Sequence, residues 1–190
     1  AIAIVLDSKT QYPAACNSVE DLLINATIAA SLIPELTIEL QKKGVQIFGC
    51  SRTVDLVDQI HLFTSQDWHV EYSDLTIAIK IVDSDIEAIE HINRFGSHHT
   101  DCILSTEPAH QKLFCSQVDS ADVFVNCSTR FADGYRYGLG AEVGISTSKL
   151  HARGPVGIEG LCTYKYILIG DGHQVADYVS GKKHFQHKDL

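Results

Sequence analysis

The sequence predicts an α/β protein in which a mainly parallel sheet is flanked by helices. Short β-branched apolar segments alternate with segments of helical periodicity, and this alternation is typical of parallel strands joined by helical crossovers. The chain has 190 residues, of which 45% are apolar. That length is usual for one domain, and that apolar fraction is sufficient for a buried core.

The first predicted elements surround a cysteine. Residues 1–12 are predicted to be the second half of a helix, which stops before Pro13 because the residue preceding proline avoids helical backbone angles. Asn17 is predicted to cap a second helix, with Glu20 three residues later completing a capping box. Cys16 would then lie at, or one residue before, a helix N-terminus.

The remaining elements alternate along the chain. A longer helix is predicted to run through Leu40 and to end at residues 42–44, where two lysines precede a glycine. Helices are also predicted over 51–60, from 83–85 onward and from Glu107 and Pro108 onward. Strands are predicted at 45–48, 75–82, 101–104, 122–126 and 163–169.

Charge and cysteine usage exclude several classes of protein. The formal net charge is −9, so the chain lacks the basic surface that neutralises a nucleic-acid backbone. Its apolar runs are far shorter than a membrane span needs. The six cysteines form no CxxC pair, and neither they nor the ten histidines show zinc-ligand spacing. We therefore expect reduced thiols in a cytoplasmic protein, with no metal site, membrane or nucleic-acid partner.

Cys16 is the cysteine with the clearest chemical context. Amide dipoles at a helix N-terminus stabilise a thiolate, so the predicted position would lower the pKa of Cys16 and make it a nucleophile. The alternative is a structural thiol, which is the usual fate of a cysteine. The other five cysteines lie in apolar patterns that favour a place in the core.

The segment after Cys127 is rich in glycine and carries several cations, including Arg130 and Arg153. Glycines allow backbone amides to approach a ligand, and cations suit anionic groups, so this segment is predicted to form loops of a site. Residues 138–144, GLGAEVG, differ from a dinucleotide-binding GxGxxG because the third glycine comes one residue late, and a plain glycine-rich turn is the alternative. Glu71 is a candidate for orienting a ribose or a substrate amine. The alternative is that it is a solvated acid in a loop.

Two strings give a more specific indication. YPAACN around Cys16 and NCSTRFADGYRYGLGAEVGISTSKLHARGPVG over 126–157 closely resemble gamma-glutamyl phosphate reductases. Between them EYSDLTIAIKIV and the turn at 99–101 follow the family in order, so the resemblance covers essentially the whole chain. The final residues resemble the single-activity fungal enzymes.

The resemblance implies an aldehyde-dehydrogenase-like fold. Residues 1–137 would form the catalytic domain, and residues 138–190 would return toward a nucleotide-binding Rossmann domain, with an oligomerisation strand at 163–169 and a tail. The Rossmann half has no counterpart in these residues. Because the chain starts without methionine, we expect that it begins inside a longer protein. Without the Rossmann half, we do not expect it to turn over alone.

The resemblance also implies a reaction. Gamma-glutamyl phosphate would be reduced with NADPH to glutamate 5-semialdehyde through a thioester on Cys16, a step of proline biosynthesis. The partners implied are the substrate, further copies of the chain and glutamate 5-kinase, and the location would be mitochondrial if the protein were of the fused animal type. The residues expected to bind substrate or phosphate are Asn17, Ser128, Thr129, Arg130, His151 and Arg153, with Glu71 toward the cofactor.

Two other functions remain open at this stage. An aldehyde-oxidising dehydrogenase of the same superfamily would need a general base to activate water, and the sequence places no acid or histidine for it. A non-catalytic oligomerisation or regulatory module would leave Cys16 with a structural role. The roles of His151 and Arg153 are also undecided at this stage, because these residues could hold the returning loop in place instead of binding substrate.

Overall fold

The computed structural model describes residues 1–64, 68–150 and 152–187, and it confirms the α/β class. Its larger sheet has four strands in the order β1-β4-β2-β3, and every pair in it is parallel. The strands are β1 (Asp21–Asn25), β2 (Gln46–Gly49), β3 (His61–Leu62) and β4 (Thr76–Val82). β4 is an inner strand, which explains its almost uninterrupted apolar sequence.

The described part of the chain has six helices, some of which pack on the larger sheet. They are α1 (Ile2–Thr10), α2 (Ala26–Lys42), α3 (Ser51–Val54), α4 (Asp85–Phe95), α5 (Pro108–Gln117) and α6 (Val175–Val179). The Asn25 side chain accepts a hydrogen bond from the Thr27 N–H and so caps α2. Gly44, just past the end of α2, has a φ of 77°, which a glycine adopts without steric cost.

One face of α2 forms the centre of the core. Ala29, Ile33, Leu36 and Leu40 recur at spacings of three and four residues and are at most 3% exposed. They pack on the buried isoleucines of the sheet in a single cluster. The strand that follows the Cys16 loop, β1, lies at the edge of this sheet.

A smaller parallel sheet follows the larger one. It consists of β5 (Thr100–Ile103) and β6 (Asp122–Val125), and it packs with α4 and α5 through Ile89, Phe114 and Val118. After β6 the chain makes a short 3₁₀ turn at Thr129–Phe131. An antiparallel hairpin of β7 (Gly144–Ser146) and β8 (Gly154–Val156) comes next, and a second 3₁₀ turn at Glu159–Leu161 follows it.

Two predicted elements are wrong. No helix begins at Asn17: the residues after it form β1, because Leu22 to Asn25 pair with β4, and Glu20 turns to Lys9 instead of closing a capping box. The helix predicted over 51–60 stops at Val54, since His61 must reach Phe48 to form β3.

The strand predicted at 163–169 is not formed within the described chain, where these residues have no regular secondary structure. As an oligomerisation strand it stays a prediction. Their side chains are exposed, with Leu168 at 98% and Ile169 at 90%. A strand requires a neighbour for its backbone hydrogen bonds, and none of the described residues pairs with this segment.

Within the described part of the chain, no helix combines the length and the apolar character that crossing a membrane requires.

Candidate active site

Cys16 lies on the loop between α1 and β1, at the wall of a cavity of about 970 Å³. The loop is built from two tight turns, in which the Ala15 N–H donates to the Tyr12 carbonyl and the Ser18 N–H to the Ala15 carbonyl. The residue itself is exposed, whereas Asn17 and Ser18 are buried. The loop therefore presents the thiol while its next two residues anchor it.

Two contacts hold this loop in place. The Asn17 Nδ2 donates to the Ala132 carbonyl at 2.7 Å, which ties the residue after Cys16 to the 3₁₀ turn beyond β6. Lys9 on α1 pairs with Glu20 at 3.0 Å. Asn17 Oδ1 is buried and has no hydrogen-bond partner among the described residues, so an acceptor beside Cys16 is still available to a ligand.

The electrostatic surroundings of Cys16 differ from those predicted, because no helix begins at Cys16 or Asn17. Burial raises the pKa of the Cys16 thiol. The carboxylates of Glu142 and Glu71 raise it further, while the Cys16 backbone N–H and Arg130 act in the opposite direction. The thiol is therefore protonated at neutral pH, and its reaction requires a place for the proton.

A histidine that the sequence interpretation left without a role touches this thiol. The His99 Nε2 lies 3.2 Å from the Cys16 Sγ, and the His99 Nδ1 lies 2.6 Å from the Thr100 Oγ1. His99 is only 5% exposed, and burial lowers its pKa. The contact joins residues 83 positions apart, so no local spacing could have indicated it.

The predicted residues of the 128–130 string fall into two groups. The Ser128 Oγ accepts from the Ser8 Oγ and from the Arg130 N–H, so its hydroxyl is used to hold the turn against α1. The Thr129 Oγ1 is buried with no hydrogen-bond partner in the described part of the chain. The Arg130 Nε donates to the Gln11 Oε1 at 2.9 Å, which leaves its two terminal nitrogens for a further acceptor.

The remaining predicted site residues lie in different settings. Glu71 is exposed and lines the same cavity as Cys16. Arg153 donates to the side chain and backbone carbonyl of Asp119 at 3.0 and 3.1 Å, so it fastens the β7–β8 hairpin, as the alternative interpretation expected. His151 lies outside the described residues.

Glu142 is a second residue that the sequence interpretation missed. Its Oε2 accepts from the Gly134 N–H at 2.9 Å, and its charge acts on both Cys16 and His99. A single acid in a glycine-rich stretch gives no signal of this position from sequence.

Known proteins resemble this chain closely. The gamma-glutamyl phosphate reductase 1 of Synechocystis is 56% identical over 191 residues, which cover the whole chain and 44% of that protein. A crystal structure of the gamma-glutamyl phosphate reductase of Thermotoga maritima has 44% identity and a TM-score of 0.89, over 91% of this chain and 42% of that one. The chain belongs to the gamma-glutamyl phosphate reductase family. It spans a little under half the length of these reductases.

Two further comparisons refine this family assignment. The yeast gamma-glutamyl phosphate reductase is 32% identical with a TM-score of 0.54, over 73% of this chain and 35% of that one. The Synechocystis and Thermotoga reductases are therefore more similar to this chain than this fungal one is, although a fungal type was expected. An acetylating aldehyde dehydrogenase from Geobacillus thermoglucosidasius shares the fold at 15% identity and a TM-score of 0.62, over 91% of this chain and 48% of that one. The expected aldehyde-dehydrogenase-like fold is thereby confirmed. No protein-family model matches the chain.

Proposed function

We propose that the complete protein reduces gamma-glutamyl phosphate to glutamate 5-semialdehyde and phosphate, with Cys16 as the residue that takes the acyl group. The observation that carries the proposal is the exposed Cys16 thiol on an anchored loop, in a chain of this reductase family. An acyl phosphate is reactive enough for a thiolate to displace phosphate directly. No water has to be activated, and none of the proposed steps is a hydrolysis.

The Cys16 loop has the donors and acceptors that acyl transfer requires. Sγ attacks the acyl carbon, the C–O bond to phosphate breaks, and a thioester remains on Cys16. The negative oxygen formed at that carbon needs a hydrogen-bond donor. The Cys16 N–H is a donor of this kind, since it lies against its own sulfur, while the flanking amides of Ala15 and Ser18 bond to carbonyls.

The anionic groups of the substrate are proposed to meet Arg130 and Thr129. A guanidinium can hold a phosphate or a carboxylate through two parallel hydrogen bonds, and the terminal nitrogens of Arg130 are available for this. Its charge is close enough to act on the pKa of Cys16. Asn17 contributes its unpartnered Oδ1, which suits the α-amino group of a glutamyl substrate.

The reductant is proposed to be NADPH, which supplies the hydride that converts the thioester to the aldehyde. The chain offers a carboxylate for its ribose in Glu71, which lines the cavity with Cys16 and acts on the pKa of that thiol. Carboxylates are the usual acceptors for ribose hydroxyls in nicotinamide sites. Glu71 would therefore orient the nicotinamide end toward Cys16.

Residues 1–137 are proposed as the catalytic domain and 138–190 as the returning segment. Tyr164, Tyr166 and Leu168 occupy alternate positions of 163–169, as side chains on one face of a strand do. All three are exposed, as are Ile167 and Ile169. We propose that this segment pairs with a second subunit in the complete protein. Sedimentation of that protein measures its subunit number, and a monomer would contradict the pairing.

Replacement of Cys16 tests the reaction. In the complete protein, Cys16→Ser is expected to abolish phosphate-dependent reduction of NADP⁺ by glutamate semialdehyde, the reverse reaction, because a hydroxyl cannot form the thioester. Cys115→Ser is the matched control, since Cys115 is also an exposed free thiol, and it should keep wild-type turnover. Turnover retained by Cys16→Ser would rule out the proposed function.

A further inference from the structure

We infer that His99 is a catalytic residue that removes the proton from the Cys16 thiol and returns a proton to it at the end of the cycle. The inference rests on the proposed function and deepens it. Its basis is the 3.2 Å contact between the His99 Nε2 and the Cys16 Sγ, which brings a base to the reacting atom.

The second nitrogen of His99 fixes how the ring acts. With its proton on Nδ1, the imidazole donates to the Thr100 Oγ1 at 2.6 Å, and the lone pair of Nε2 then faces the thiol. A proton acceptor must present that lone pair within hydrogen-bond reach of the proton it takes. Thr100 is therefore a positioning residue, which selects the tautomer that can accept from sulfur.

The charges around Cys16 and His99 favour transfer of the proton from sulfur to imidazole during the reaction and not before it. Burial raises the pKa of Cys16 and lowers that of His99, so both groups are neutral at rest. An imidazolium formed during reaction would be stabilised by the carboxylates facing it. Those that raise the pKa of His99 are Asp122, Glu142 and Asp101. Asp122 has a buried Oδ2 with no hydrogen-bond partner in the described part of the chain.

The proton balance closes with one proton from solvent. The S–H proton passes to Nε2 as the S–C bond forms, and the imidazolium then gives it to the departing phosphate oxygen as the C–O bond breaks. After a hydride donor has reduced the thioester, the thiohemiacetal oxyanion forms the aldehyde and the C–S bond breaks. His99 takes a proton from water and delivers it to the leaving sulfur, which restores the neutral pair.

The test compares the pH dependence of Cys16 alkylation in the complete protein. Iodoacetamide labelling of Cys16 is followed by peptide mass spectrometry from pH 5.5 to 10, with no substrate or cofactor present. In the wild-type protein, Cys16 should be alkylated at neutral pH faster than its small thiolate fraction would permit without a neighbouring base. His99→Gln should label about tenfold more slowly at pH 7 and match wild type near pH 10, where the thiolate forms without a base.

Turnover provides the second measurement. The forward and reverse rates should fall by about 10²-fold in His99→Gln, which is the lower end of what general acid–base catalysis contributes. His98→Asn is the matched control, because His98 is the adjacent histidine and its Nδ1 contacts the Asp119 carbonyl instead of Cys16. Asparagine also tolerates the positive φ of 60° at this position. Thr100→Val should lower turnover by a smaller factor than His99→Gln does. Its Cys16 labelling should likewise be slowed at pH 7 and match wild type near pH 10.

Each outcome decides between the claims. Superimposed labelling profiles for wild type and His99→Gln would overturn the inference while leaving the Cys16 thioester intact. Loss of turnover in Cys16→Ser together with full turnover in His99→Gln would do the same, whereas turnover in Cys16→Ser would overturn the proposed function itself. If His99→Gln does not fold, the wild-type profile decides, since a single thiolate curve centred above pH 9 overturns the role of His99.

Discussion

Replacement of Lys9 by methionine is expected to loosen the segment that carries Cys16. The Lys9 Nζ lies 3.0 Å from the Glu20 Oε2, and the two side chains are 0% and 19% exposed. This pair joins α1 to the end of the Cys16 loop. Methionine keeps most of the length and apolar volume of lysine, so the main change is the loss of a charge. The largely buried Glu20 carboxylate then lacks its cation and keeps only the backbone hydrogen bonds from Ser73 and Tyr72.

The size of the effect follows from burial. Removal of one partner of a buried ion pair costs about 3–5 kcal/mol, and the residual exposure of Glu20 favours the lower end. That corresponds to a change of about 10²-fold in the opening equilibrium. Burial is the largest influence on both pKa values, lowering that of Lys9 and raising that of Glu20. The pair therefore contributes little net stability, and Lys9→Met with Glu20→Gln should recover most of the loss.

Hydrogen exchange, measured by mass spectrometry on the complete protein, reports how often α1 and β1 open locally. Peptides from α1 and β1 should exchange about 10²-fold faster in Lys9→Met, and close to wild type in the double variant. Lys42→Met is the control, because the Lys42–Glu39 pair is exposed and worth well under about 1 kcal/mol. Equal exchange in the single and double variants would refute the reasoning.

Two further predictions concern a buried acid and the proposed anion site. Burial raises the pKa of Asp21 to about 7 from 3.8, with Glu20 and Asp101 adding to the shift. Its contribution to stability is then fully present below pH 3.8 and lost as the pH rises through 7. Asp21→Asn should therefore raise the Tm relative to wild type more at pH 8 than at pH 5, and a difference independent of pH would contradict this. Arg130→Ala should raise the half-saturating phosphate concentration of the reverse reaction by about tenfold or more. A change confined to nicotinamide affinity would show that Arg130 is misplaced.

Much of the fold could be predicted from local sequence. The apolar, β-branched run at 75–82 gave β4 within one residue, and the lysines and glycine at 42–44 gave the end of α2. The helix predicted from 83–85 onward begins at Asp85, and the Ser84 side chain caps it by accepting a hydrogen bond from the Glu87 N–H. These features succeed because each depends on a few neighbouring residues whose preferences agree with the tertiary packing.

The prediction failed where distant residues decide the outcome. Asn17 and Glu20 form a good capping-box pattern, yet pairing of the next residues with β4 makes them a strand. The Cys16–His99 contact depends on the meeting of the α1–β1 loop with the start of β5, which no spacing reveals. The strand at 163–169 stays a prediction, because it would need a partner for its backbone hydrogen bonds and none of the described residues pairs with this segment.

The error about the helix changes the chemical argument for Cys16. A thiol activated by a helix dipole would have a lowered pKa, and it would then be a good leaving group and a weaker nucleophile. Burial instead raises the pKa of Cys16, so its thiolate is a stronger nucleophile once formed but leaves a thiohemiacetal less readily. The proposed reaction needs both steps from the same sulfur. A group that accepts a proton from Sγ before attack and donates one on departure meets both needs, and the His99 Nε2 at 3.2 Å has the position for both transfers.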